Sequence, residues 1–325
     1  MSGEGKDNMI RFGLILRSIS NILLLFIAIA VVLSLPPAAS AAEKTIGIIM
    51  TGNTPYYKEI HKAFIGTLAA EGFGPGHAEV VLQSPSPEPM SWVNAARKLV
   101  AVGSDIIVAY GAPATLAAMN ETSSVPIVYA GVFDPAAVGA TGKNATGISS
   151  KVPVASLLKN FRSISNFSSL GVVFSESEKD TVIQANEVKQ MEGGMGFRST
   201  KFSIKKAEDL SKIANVDALF LTTGCAAMHC INNIMGIARK SKIPTASTIG
   251  GGENIGVVLT ITANPQEQGM EAAKLAAKVI RGAKPSGMQV VSPRRIDMII
   301  NLREATELGL KIPFDLLSSA TRVIK

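Results

Sequence analysis

From position 44 onward, short runs of β-branched and aliphatic residues alternate with segments of helical spacing. Residues 45–50 (TIGIIM) are one uninterrupted apolar run, the mark of a strand covered on both faces. Residues 55–72 follow with Ile60, Phe64 and Leu68 at i, i+4 and i+8, the spacing of an amphipathic helix. The phrase recurs as strand 79–83 and helix 90–102, strand 105–110 and helix 113–120, then strand 126–130. Four strands with crossover helices predict a parallel, doubly wound sheet with right-handed connections. A second series begins after Gly147, with helix 154–165, strand 170–174, helix 180–191, strand 198–204, helix 207–213, strand 218–222, helix 226–240 and strands 244–247 and 256–261. The end breaks this order: a long helix 265–282, a strand 298–301 and a helix 302–309. Gly269, Ala272, Ala273, Ala276 and Ala277 give the long helix one small-residue face, suited to close approach to a sheet. The expected fold class is therefore α/β, two Rossmann-like parallel-sheet halves one after the other.

Composition agrees with this reading and removes several functions. A chain of 325 residues with 47% hydrophobic and 18% charged residues has material for two packed cores and too little charge for disorder. The net charge of +7 comes from basic residues scattered singly or in pairs such as Lys205-Lys206 and Arg294-Arg295, so no stripe for nucleic acid forms. Two cysteines cannot frame a disulfide scaffold. Ahead of the alternating region, Arg11 and Arg17 precede an apolar run at 22–35, followed by small residues at Ala39 and Ala41. This reads as an export signal over residues 1–41, cleaved after Ala41; a retained inner-membrane anchor is the other reading. The run is shorter than the ~20 apolar residues a spanning helix needs.

Motifs for bond-making chemistry are missing. No GxSxG or HExxH occurs, no cysteine stands with a positioned histidine, and no catalytic residue is assigned. Cys225, His229 and Cys230 suggest a metal cluster, but on one helix Cys230 points roughly 140 degrees from Cys225, so buried free thiols are expected and no metal or cofactor. Gly250, Gly251 and Gly252 lack any Walker or dinucleotide pattern and read as a flexible loop. His61 falls on the exposed side of its helix pattern.

Text spread over the alternating region resembles the type 1 periplasmic substrate-binding proteins of ABC importers, in the branch of the aromatic-amino-acid (tryptophan/tyrosine) receptors. The matching stretches are 44–49 (KTIGII), 125–130 (VPIVYA) with Phe133-Asp134-Pro135, 144–149 (NATGIS), and most specifically 273–282 (AKLAAKVIRG), 298–302 (MIINL) and 308–313 (LGLKIP). The resemblance implies a clamshell with a three-crossing hinge near 147–151, 260–263 and 290–294. Lobe 1 would be 42–148 plus 262–289, and lobe 2 would be 149–261 plus 290–325. It further implies a periplasmic, monomeric protein that captures a small molecule and docks on an ABC permease, or else signals to a membrane partner through the same clamshell.

In open parallel sheets, ligands bind outside the carboxyl ends of the strands. The loops there give the candidate ligand-binding residues Asn53, Thr54 and Tyr56; Tyr110, Ala112 and Thr115; Phe133 and Asp134; Ser175 and Glu176; Thr223 and Gly224; Thr248 and Gly250; and Asn264. Small residues 111–115 open a helix and would receive a carboxylate, with the Thr115 hydroxyl as an extra donor. Tyr56, Tyr110 and Phe133 would supply ring surfaces for a flat or apolar ligand, while Asp134-Pro135 more often caps a turn. The resembled branch usually offers lobe-2 acids to a ligand ammonium, where this chain has Gly224 and Ile249; an amino acid ligand then needs Glu176, Glu178 or Asp134 as substitute.

Overall fold

The structure is a computed structural model that describes residues 43–325 except Lys143. The expected export signal at 1–41 lies outside the described residues. Among the described residues no helix is long and apolar enough to cross a membrane.

The first sheet is built from β1 (Lys44–Met50), β2 (Ala78–Gln83), β3 (Ile106–Tyr110), β4 (Ile127–Val132) and β5 (Ala145–Ser149), all parallel in the order β2-β1-β3-β4-β5. Its connections are α1 (Pro55–Leu68), α2 (Pro89–Ala101), α3 (Ala112–Glu121) and the short α4 (Pro135–Val138). Alternation along the strands sends Ile46, Ile48 and Val108 to one core, and Ile49, Ile107 and Ala109 to another with Trp92 and Leu99. β5 was not expected as a strand; its sequence ATGIS is short, with little apolar signal, yet it pairs along β4.

The second half contains α5 (Val154–Ile164), β6 (Ser169–Phe174), α6 (Lys179–Met195), β7 (Arg198–Ser203), β8 (Ala218–Leu221), α7 (Cys225–His229), α8 (Ile231–Ser241), β9 (Thr245–Ser247) and β10 (Leu259–Ala263). Three further helices and two further strands follow: α9 (Pro265–Ile280), β11 (Ile296–Asn301), α10 (Leu302–Glu307), α11 (Phe314–Ser319) and β12 (Arg322–Ile324). The second sheet has the order β12-β11-β10-β9-β8-β6-β7 and is mixed, because β11 runs antiparallel to β10. The expected helix 226–240 breaks at Cys230, whose φ of −94° and ψ of 11° lie off the helical values, and 207–213 forms only a 3₁₀ segment over Ala207–Lys212.

Two lobes therefore follow from strand order, but α9 leaves the second sheet and returns to the first, where it packs on α1. A Cβ added at Gly269 would lie 2.2 Å from the Ile60 carbonyl oxygen and 2.8 Å from the Phe64 nitrogen, so the two helices touch backbone to backbone. The chain passes between sheets after Ser149, after Ala263 and between Val291 and Ile296. Where the first and third passages meet, Ser149 N–H donates to Val291 O at 2.8 Å and Val291 N–H to Gly147 O at 2.9 Å.

Candidate functional site between the strand ends

The carboxyl ends of the two sheets face each other and touch. A Cβ at Gly52, just past β1, would be 3.2 Å from both Cβ and Sγ of Cys225, which opens α7. Gly251, at φ +103°, would place a Cβ 2.9 Å from Pro55, and Gly250 one 3.5 Å from the Tyr56 ring. The lobes are shut in this structure.

On the lobe-1 side, Thr51 is the organising residue. Its hydroxyl accepts from Ala114 N–H at 3.2 Å, and its carbonyl accepts from the Trp92 indole at 2.7 Å. Gly111 at φ +90° lets α3 begin directly beneath: a Cβ there would be 2.4 Å from the Tyr57 hydroxyl and 2.5 Å from the Thr51 hydroxyl. Ala112 is fully buried at this helix start. Tyr57, absent from the sequence candidates, is thus the ring at the centre of the cleft.

Several expected site residues lie elsewhere. The Thr115 hydroxyl donates to Gly111 O at 2.8 Å, turned back on its own helix, as threonine in a helix readily does. Tyr110 is fully buried against Phe64 and His61, with ring centroids 6.2 and 6.0 Å away. His61 is accordingly half-buried, with Nδ1 3.4 Å from the Tyr110 hydroxyl, and burial lowers its pKa. Phe133 belongs to the apolar core of the second lobe, with Val152, Leu157 and Phe161. Glu176 is exposed and pairs with Lys205 at 3.2 Å. Asp134 caps α4 by accepting from Ala137 N–H at 3.0 Å, and pairs with Lys151 at 2.6 Å.

The others stay near the cleft. Asn53 and Thr54, the latter the N-cap of α1, line a crevice of about 420 Å³ with Ser84–Pro87 of the β2–α2 loop, Cys225 and His229. Tyr56, Gly250 and Asn264 line a second crevice, of about 440 Å³, with Glu253, Asp297 and Arg322. The Tyr56 hydroxyl donates to Ala263 O at 3.0 Å.

On the lobe-2 side a buried polar network spans three strand ends. Thr248 Oγ1 donates to Gln184 Oε1 at 2.6 Å, Gln184 Nε2 to Thr223 Oγ1 at 2.7 Å, and Thr223 Oγ1 to Asp180 at 3.2 Å. Glu178 accepts from the N–H groups of Cys225 at 3.0 Å and Ala226 at 3.3 Å, which leaves Gly224 stacked in contact range of that carboxylate. Ser175 donates its N–H to Thr181 Oγ1 at 3.0 Å and shares its hydroxyl with Ser177 at 2.9 Å.

Burial pushes Glu178 up to about 8, helped by the neighbouring Asp180, and burial pushes Asp180 up to about 6. No basic side chain among the described residues counters either shift. Asp180 escaped the sequence reading because an acid in the first turn of a helix is ordinary complementarity to the helix dipole. Burial also raises the thiol of Cys225; Cys225 and Cys230 are both buried and free.

Comparison with known proteins gives these two facing sheets a context. The family model for the ABC transporter substrate binding protein matches residues 45–324. The chain belongs to that family. ABC transporter substrate binding proteins of solved structure share the fold. One from Streptococcus pneumonia, an ABC domain in complex with L-Trp, has 22% identity and a TM-score of 0.83, covering 87% of this chain and 100% of that one. A conserved domain protein from Vibrio cholerae has 22% identity and a TM-score of 0.83, covering 86% and 99%. A substrate binding protein with adhesive properties from Clostridium difficile, in its ligand-free, open structure, has 24% identity but a TM-score of only 0.63, covering 87% and 99%. Comparison with curated protein sequences gave no match. As a member of the ABC transporter substrate binding proteins, this chain is a two-lobed binder of small ligands with the type 1 periplasmic-binding-protein architecture.

Proposed function

We propose that the protein captures a small molecule carrying both a carboxylate and an amine in the cleft between its lobes, outside the cytoplasmic membrane, and delivers it to an ABC permease. The observation that carries this reading is the shut cleft itself. It buries an α3 helix start under Thr51 and Tyr57 on one side and two carboxyl groups, Glu178 and Asp180, without a basic partner on the other. A helix N-terminus favours an anion, and buried carboxylates favour a cation. Glu178 and Asp180 reach this position from the N-cap and first turn of α6, which supply acid where Gly224 and Ile249 do not. The structure bound to L-Trp supports the amine-plus-carboxylate class. The loss of Tyr110 and Phe133 to the cores leaves Tyr56 and Tyr57 as the rings near the cleft, so a large aromatic side chain has less support than the two polar ends.

A thermal-shift screen tests this. Amino acids should raise the unfolding temperature, whereas the matching amines and carboxylic acids alone should not. A ligand at 100 times its dissociation constant adds about 2.7 kcal/mol. Equal shifts with a deaminated analogue would remove the carboxyl pair from recognition.

A further inference from the structure

We propose that Gln268 is the positioning residue that ties the three interlobe passages into one hinge and holds the lobes at the shut angle; this rests on the capture reading above. Gln268 lies in the first turn of α9, directly after the second passage, and is fully buried. Its Oε1 accepts from Gly131 N–H at 2.8 Å, and its Nε2 donates to Ser149 O at 2.8 Å. Ser149 ends β5, where the first passage begins. Its N–H donates to Val291 O, at the start of the third passage, and its hydroxyl donates to Phe133 O at 2.9 Å. One side-chain amide, set at the end of the second passage, thereby bonds the first directly and the third through a single residue, Ser149.

The neighbour in sequence completes the clamp. The Glu267 carboxylate accepts from the N–H groups of Arg294 at 3.1 Å and Arg295 at 2.9 Å, fixing the far end of the third passage to the same helical turn. At the cleft end, Gly131 has φ +69°, and a Cβ there would lie 3.0 Å from the Tyr57 ring. The backbone that Gln268 holds is therefore the backbone on which the central cleft tyrosine rests. Remove the amide and two buried backbone groups, Gly131 N–H and Ser149 C=O, lose their partner; an unpaired buried group carries a large penalty, and Ser149, where the first passage leaves β5, is the one free to turn toward another partner as the lobes open.

The native thiol of Cys225 supplies a readout that needs no ligand, because Gly52 of the facing lobe lies against it in the shut structure. In a Cys230→Ser background, reaction of Cys225 with an uncharged maleimide reports opening. Gln268→Leu should accelerate it about tenfold, the weight of the bonds lost. Gln268→Glu should stay near the unsubstituted rate at about pH 5, where a protonated acid both donates and accepts, and exceed it at about pH 8, each rate taken relative to the Cys230→Ser protein at the same pH. Ile107→Val in the lobe-1 core serves as a control: it should destabilise yet leave the rate unchanged. An unchanged or slower rate in Gln268→Leu would overturn the proposal, as would equal acceleration in the control. If Cys225 reacts only as fast as the whole protein unfolds, the lobes do not open, and both the capture reading and this one fall.

Discussion

Glu178 and Asp180 are the residues where solution pH reaches the cleft. In the unfolded chain they ionise near 4.5 and 3.8, and in the shut protein near about 8 and about 6. Between those values the native state binds more protons than the unfolded one, so their contribution to stability is fully present below the unfolded values and is lost as pH rises through the folded ones. Ligand-free protein should therefore gain unfolding temperature as pH is lowered from about 8 to about 5, by up to ~1.4 kcal/mol per pH unit for a fully linked group. Glu178→Gln should flatten most of that slope in calorimetry, and a slope of the opposite sign would show that these groups do not stay protonated in the fold. The same substitution bears on binding. Affinity for an amine ligand should climb with pH as the pair deprotonates, and Glu178→Gln should remove that climb.

At the scale of elements, α1 and α9 meet backbone to backbone. Gly269→Ala places a methyl group 2.2 Å from the Ile60 carbonyl oxygen, a backbone atom that cannot yield as a side chain can. We expect a loss of about 3 kcal/mol or outright failure to fold, measured by urea denaturation; a loss under ~0.5 kcal/mol would mean that the helices separate freely. The small-residue face that makes this contact was visible in the sequence, as were the apolar strands, because periodicity is a local property. What periodicity does not carry is the direction of a residue at the end of a strand. Tyr110 closes β3 and Phe133 follows β4, and a step of one position turns a side chain from cleft to core. Tyr110 thus turns into the core, and Tyr57, in the first turn of α1, supplies the ring instead. β5 and β12 escaped because strands of five and three residues need their neighbours to hold them. The mixed second sheet escaped because antiparallel β11 has the same composition as a parallel strand.

At the scale of the whole molecule, the shut cleft offers a direct handle. A cysteine at Gly52 would face Cys225 with Cβ atoms 3.2 Å apart, slightly inside the roughly 3.5–4.5 Å span of a disulfide. Gly52→Cys should therefore oxidise to a cross-link that freezes the lobes together, seen as the loss of two titratable thiols and as slowed ligand association that a reductant restores. Efficient cross-linking without ligand would indicate that the shut arrangement is visited spontaneously; no cross-link under any condition would contradict the contact.

The return of α9 to the first lobe also sets an order of events in synthesis. A chain leaving the ribosome exposes β1 to β5 early, yet the face of α1 that Gly269 covers stays bare until the stretch ending at Ile280 has emerged. The early lobe thus waits, unfinished, for nearly the last of the polypeptide. Truncations anywhere before α9 should yield aggregation-prone fragments instead of an independently stable half.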